Sequence, residues 1–159
     1  MTILQIDDIK SYMKYLLIDN KFDAFELIQA SISTYNTIDI DGKINPEFFG
    51  TDYDSTELYG YEFTPWSKAK ELAYTLIKGK YTPLSFKFVL RANDSLQEQI
   101  LKGLPDIARQ TISSLIINIR YDSQGLSVVT GTSQKSFSLD KTADEAWDTW
   151  VAKFIQDMQ

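Results

Sequence analysis

Between Thr64 and Ala92 the period of the apolar residues changes from helical to alternating. Trp66, Ala69, Ala73, Leu76 and Ile77 recur at helical spacing, with Thr64-Pro65 as a start signal and Gly79 as a stop. Lys68, Lys70 and Lys78 lie away from that stripe. Over residues 83–92, Phe86, Phe88 and Leu90 face one way and Lys87, Val89 and Arg91 the other, because successive strand side chains point to opposite faces. A helix with one apolar stripe beside a strand with one apolar face is material for helix-on-sheet layers, and sequence neighbours often pack together.

The rest of the chain follows the same pattern. Residues 2–5 alternate and predict a first strand. Asp7 or Asp8 then caps a helix with Ile9, Met13, Leu16 and Leu17 on one side, Lys10 and Lys14 on the opposite face, and an end near Asp19-Asn20. Residues 24–40 are rich in β-branched and aromatic side chains and predict two strands or one long bent strand. Asp41-Gly42 predicts a tight turn returning the chain through Lys43-Ile44-Asn45, with Pro46 stopping that strand. Residues 50–62 are acidic, Tyr-rich and aperiodic, a loop or a loop with a short strand at 59–63. Residues 94–109 are helical in part, broken around Gly103 and Pro105. Strands are predicted at 115–121 and 126–130, joined through Asp122-Ser123-Gln124-Gly125, and at 135–139, completing a meander. Thr142 caps a last helix with Glu145 as its capping-box partner, and Trp147, Trp150, Val151, Phe154 and Ile155 lie on one side of it. The order β-α-β-β-(β)-α-β-α-β-β-β-α predicts an α+β fold of antiparallel strands with helices on one face.

At 159 residues, 43% of them apolar, the chain fits one domain, 1–159, with material for a sizeable core. It has no cysteine and no histidine. Disulfides, thiolate metal sites and a cysteine nucleophile are therefore excluded, and so are zinc-histidine and Ser-His-Asp chemistry. The composition implies no cofactor, no metal and no assigned catalytic residue. Residues 1–8 lack the basic and apolar regions of a signal peptide, and no apolar run approaches the roughly 20 residues that span a bilayer. The expected location is cytoplasmic, with no membrane partner.

Motifs with catalytic or ligand-binding associations fail in detail. With Gly42 at the turn position of a calcium loop, Phe48 stands where a bidentate Glu is needed. Lys78-Gly79-Lys80 would need Gly at Tyr74 and Ser or Thr at Tyr81 to be a phosphate loop. Gly131-Thr132-Ser133-Gln134-Lys135 reads as a tight turn between strands. Asp39, Asp41, Asp52, Asp54 and Glu57 are the one carboxylate cluster that could serve a divalent cation or acid–base chemistry, if they converge.

Charge placement is the unusual feature. The net charge is −6, yet residues 64–91 carry 6 Lys and Arg against 1 Glu, whereas residues 1–63 carry 4 Lys against 12 Asp and Glu. Lys68, Lys70, Lys78, Lys80, Lys87 and Arg91 come from a neighbouring helix and strand. With Lys10 and Lys14 they could form a surface for phosphates or for an acidic partner. The contact candidates are Lys10, Lys14, Lys68, Lys70, Lys78 and Lys80; Trp147 and Trp150 are candidates for a protein interface.

Two resemblances add to this. Thr34-Tyr35-Asn36 with Asp41-Gly42-Lys43, Leu76-Ile77-Lys78-Gly79-Lys80 with Thr82-Pro83-Leu84-Ser85-Phe86-Lys87, Asn118-Ile119-Arg120-Tyr121, Thr130-Gly131-Thr132-Ser133 and Leu139-Asp140-Lys141 resemble, over the full length, a bacterial protein family of unknown function. That likeness implies no catalytic residues. The order of elements resembles one domain of a DNA sliding clamp, with residues 116–120, 125–131 and 136–139 similar to its closing meander. This implies lysines on DNA-facing helices, here Lys10, Lys14, Lys68 and Lys70. The 94–110 segment and the C-terminal helix are extra, and a ring would require oligomerisation.

Three functions follow as expectations. One is a non-catalytic, clamp-like binding module whose lysine-bearing helices contact nucleic acid or an acidic protein. Another is an assembly module, self-associating or not, that uses the aromatic last helix. The third is a carboxylate-based or cation-dependent enzyme.

Overall fold

A computed structural model describes residues 1–158 of the chain. In chain order the elements are β1 (Ile3–Ile6), α1 (Ile9–Leu17), β2 (Phe25–Ser33), β3 (Thr37–Asp41), 3-10 turns over Pro46–Ser55, β4 (Thr64–Pro65) and α2 (Trp66–Ile77). They continue with β5 (Ser85–Ala92), α3 (Asp94–Leu101), α4 (Asp106–Thr111), β6 (Ile112–Asp122), β7 (Gly125–Gln134) and α5 (Thr142–Gln156). All pairings are antiparallel and make one seven-stranded sheet in the order β1-β7-β6-β5-β2-β3, with β4 on β2. The fold is α+β, as the two hydrophobic periods predict.

Alternation decides which sheet face is covered. Phe88 and Leu90 on β5, Leu115, Ile117 and Ile119 on β6, and Leu126 and Val128 on β7 are buried and join the core with the apolar sides of the helices. Their neighbours Lys87, Asn118, Arg120 and Ser127 stand on the other face, in register across the strands. The two fully buried indoles have their N–H groups satisfied. Trp66 of α2 donates to the Leu16 carbonyl of α1 at 2.8 Å, and Trp147 of α5 donates to the Ile116 carbonyl of β6 at 2.9 Å.

Local signals act as their chemistry requires. The Asp8 carboxylate accepts from the Ser11 amide and caps α1, and that hydrogen bond holds its carboxyl below the ordinary value. The tight turn joining β2 and β3 falls at Thr34-Tyr35-Asn36, not at Asp41-Gly42, with the Thr34 amide donating to the Asn36 carbonyl at 2.8 Å. Gly42 instead closes β3 against a bulge in β2. Its amide donates to the Ile28 carbonyl, and a Cβ there would sit 1.9 Å from the Leu27 carbonyl oxygen.

Two further expectations are corrected. Gly131-Thr132-Ser133 lies inside β7, paired with Ile116, Leu115 and Ser114, because the β6–β7 hairpin runs several residues longer than its strongest alternation. Residues 135–141 form no strand. Phe137 and Leu139 are both exposed there, and Asp140, rather than Thr142, receives the amide that starts α5.

Candidate functional site

The helical layer does not cover its whole sheet face. Near the Phe86 end of β5 and the Tyr121 end of β6, α1 and the C-terminal part of α2 stand apart and leave a groove of about 500 Å³. Its floor is Phe86 stacked on Tyr121, with ring centroids 5.1 Å apart. Met13, Leu17 and Ile9 form the α1 wall, and Tyr74 and Ile77 the α2 wall. This lining is almost wholly apolar.

Three lysines edge the groove: Lys10 and Lys14 on α1, and Lys78 just past α2. Lys10 and Lys14 are not opposite the apolar stripe, as its spacing suggested. Each is one residue beyond a groove residue, Ile9 or Met13, and one residue turns a helix by only about 100°. They therefore stand on its flank. Among the described residues, none of the three has a carboxylate within 4.0 Å. The Lys78 ammonium lies 5.5 Å from the centre of the Tyr74 ring.

The other candidate lysines are placed differently. Lys68 pairs with Glu57 at 2.6 Å on the surface, and their hydrogen bond holds the glutamate carboxyl below and the lysine above its ordinary value. Lys70 is mostly buried and donates to the Asp19 carbonyl at 2.9 Å and to Asp23 at 3.1 Å. Both lie near the N-terminal end of α2, roughly 12–15 Å along its axis from Lys78 at about 1.5 Å per residue. Lys80 lines a second depression that shares Ile77, Lys78 and Thr82 with the groove and lies between the tip of the β2–β3 hairpin and the 79–84 loop. Lys10, Lys14 and Lys78 are thus brought together, Lys80 adjoins them, and Lys68 and Lys70 are apart.

Trp147 lies inside the domain, and Trp150 packs against the core half-buried. Trp147 is fully buried, and Trp147, Trp150 and Phe154 stack in series at 5.5 and 4.8 Å beside Phe25. Of the carboxylates at 39–57, Asp39 and Asp41 line one depression, beside Lys43 and Lys87. Among the described residues no group of three or more His, Cys, Asp or Glu side chains is placed to hold a metal ion.

On the other sheet face, Glu26 and Arg91 are both buried, 3.6 Å apart, and Arg91 also reaches Asp94 at 2.9 Å. Burial pushes the Glu26 carboxyl up, Arg91 opposes that rise, and Asp94 and Glu62 add to it. Where this fold buries a cation it pairs it with carboxylates, whereas the groove lysines form no ion pair within 4.0 Å, and Lys10 acts on Asp8 only through the weaker attraction that helps to hold that carboxyl below its ordinary value.

Sequence reasoning assigned Met13, Leu17 and Ile77 to core stripes and passed over Tyr74 and Tyr121. The readable signal was lysine one position after each of two half-buried apolar residues, Ile9-Lys10 and Met13-Lys14.

A family model described as a family of unknown function, DUF5721, matches residues 15–159. The chain belongs to that family. No curated protein and no solved structure matches it. Among the described residues no helix is long and apolar enough to cross a membrane.

Proposed function

We propose that this member of the DUF5721 family is a non-catalytic binding module whose α1–α2 groove takes up an apolar group carried by an acidic partner. The observation that carries the reading is the placement of Lys10, Lys14 and Lys78, without carboxylate partners, around an apolar floor. Apolar lining supplies affinity through burial, and the cations select the sign of whatever enters.

The same arrangement favours an acidic partner over nucleic acid. A phosphate backbone offers nothing to fill an apolar groove, and its affinity grows with the number of cations it engages. A clamp-like surface would need Lys10, Lys14, Lys68 and Lys70 together, yet Lys68 and Lys70 are engaged by Glu57 and Asp23.

The test uses 1-anilinonaphthalene-8-sulfonate, a small apolar anion, as probe. Saturable binding with enhanced, blue-shifted fluorescence is expected, weakened by added salt and by the double variant Lys10→Glu/Lys14→Glu. Lys68→Met should leave it unchanged. Binding indifferent to both the salt and the double exchange would sink the reading.

A further inference from the structure

We infer that the occupant of the groove is an amphipathic helix of an acidic partner protein, with carboxylates spaced one turn apart; this rests on the groove being a binding site. The shape of the vacancy is the first reason. Over Phe86 and Tyr121, which are buried and half-buried, α1 and the end of α2 form two walls of an open groove and the sheet its floor. A groove of about 500 Å³ takes the apolar side chains along one face of a helix lying across its mouth, the helix itself being about 10–12 Å across. Helix-in-groove recognition uses apolar side chains at i, i+3, i+4 and i+7, and Met13 gives the wall a flexible side chain that adapts to them.

The charge pattern is the second reason. Lys10 and Lys14 are separated by four residues, about 6 Å along α1, and Lys78 stands on the other wall. Positive charge is therefore spread along and across the groove. A single-headed amphiphile such as a fatty acid meets one of these lysines and leaves the rest without a counter-charge. A helix with Asp or Glu at i and i+4 meets Lys10 and Lys14 together.

The third reason is that the apolar surface continues. Past Lys78 the adjoining depression presents Tyr35, Tyr81 and Leu84, which are 96%, 80% and 73% exposed, beside Lys80. Clustered apolar residues this exposed mark an interaction surface. A polypeptide leaving the groove would run over them.

The experiment is a selection. A display library of three-turn helices with randomised outer positions is panned on the full chain and on Lys10→Glu/Lys14→Glu. Enriched sequences should carry an apolar stripe flanked by Asp or Glu at i and i+4. A synthetic peptide from that set should gain helical circular dichroism on binding. It should bind the double variant at least about tenfold more weakly, and replacing its acids by lysine should restore affinity for that variant. Enrichment of no acid-bearing apolar helix, or equal retention by the double variant, would overturn the inference. If the sulfonate probe still binds through Lys10 and Lys14 and palmitate displaces it, the groove is a site and its occupant is an acyl carboxylate. If the probe shows no lysine dependence, the groove reading and the helix inference fail together.

Discussion

The two ends of the covered sheet face are built from similar aromatic material and finished differently. At one end α5 lies over the sheet, Trp147 is sealed with its N–H on the Ile116 carbonyl, and Trp147, Trp150 and Phe154 stack against Phe25. At the other end Phe86 and Tyr121 stack equally closely beneath an open groove between α1 and α2, and the charged groups around it are cations. An aromatic stripe whose donors are satisfied inside the fold is core. An aromatic floor edged by lysines that form no ion pair is a surface open to a partner.

Alanine at the two ends should give the largest contrast. Trp147→Ala removes a fully buried indole and should cost about 3–5 kcal/mol by urea denaturation. Met13→Ala in the half-covered groove wall should stay within about 1 kcal/mol, because little of what it touches is closed off from water. Equal losses at the two positions would mean the groove is ordinary core, and the distinction would collapse.

Paired and unpaired cations sharpen the same comparison. Arg91→Met leaves Glu26 buried beside Asp94 and Glu62 and should cost about 3 kcal/mol near neutral pH. Its pH dependence has a definite sign. Glu26 has its carboxyl raised above the ordinary 4.5, chiefly by burial, so the folded state holds that proton more tightly than the unfolded chain does. The resulting contribution is fully present below 4.5 and is lost as pH rises through the folded value. Measured against Glu26→Gln, wild-type stability should therefore improve on acidification from neutral pH towards 4.5, and the Arg91→Met variant should improve more steeply. A flat difference between wild type and Glu26→Gln would show that this carboxyl is not desolvated.

Most of the fold was legible because it rests on periodicity. The switch at Thr64–Ala92, the Asp8 cap and the long β6–β7 hairpin each follow from local patterns that the tertiary structure reinforces. Asp41-Gly42 misled because glycine has two uses. Here it permits close backbone approach to Leu27 rather than a hairpin turn, and that need is set by a strand some fifteen residues away. Residues 135–139 alternate but cannot extend the meander beside β7, whose two edges are already taken by β6 and β1. The groove was legible only in part. Flanking lysines can be read from the sequence of α1, but the splaying of α1 and α2 over Phe86 and Tyr121 is a tertiary fact, as is the pairing of Lys68 with Glu57 and Lys70 with Asp23.

The smallest expected effect bears most directly on function. Lys70→Met deletes two charge-assisted hydrogen bonds, to the Asp19 carbonyl and the Asp23 carboxylate, in a mostly buried place and should cost about 1–2 kcal/mol. Lys10→Met/Lys14→Met deletes no ion pair. It relieves a like-charge contact one helical turn apart, worth a few tenths of a kcal/mol, and gives up the favourable interactions of Lys10 with Asp8 and of Lys14 with the C-terminal end of α1. The two terms nearly cancel, so stability should change by no more than about 0.5 kcal/mol. Residues kept for a partner are those whose removal the free fold does not register. A loss above about 1 kcal/mol in the double variant would show that these lysines already have partners within the chain, and the groove would then lose the charge asymmetry on which its recognition depends.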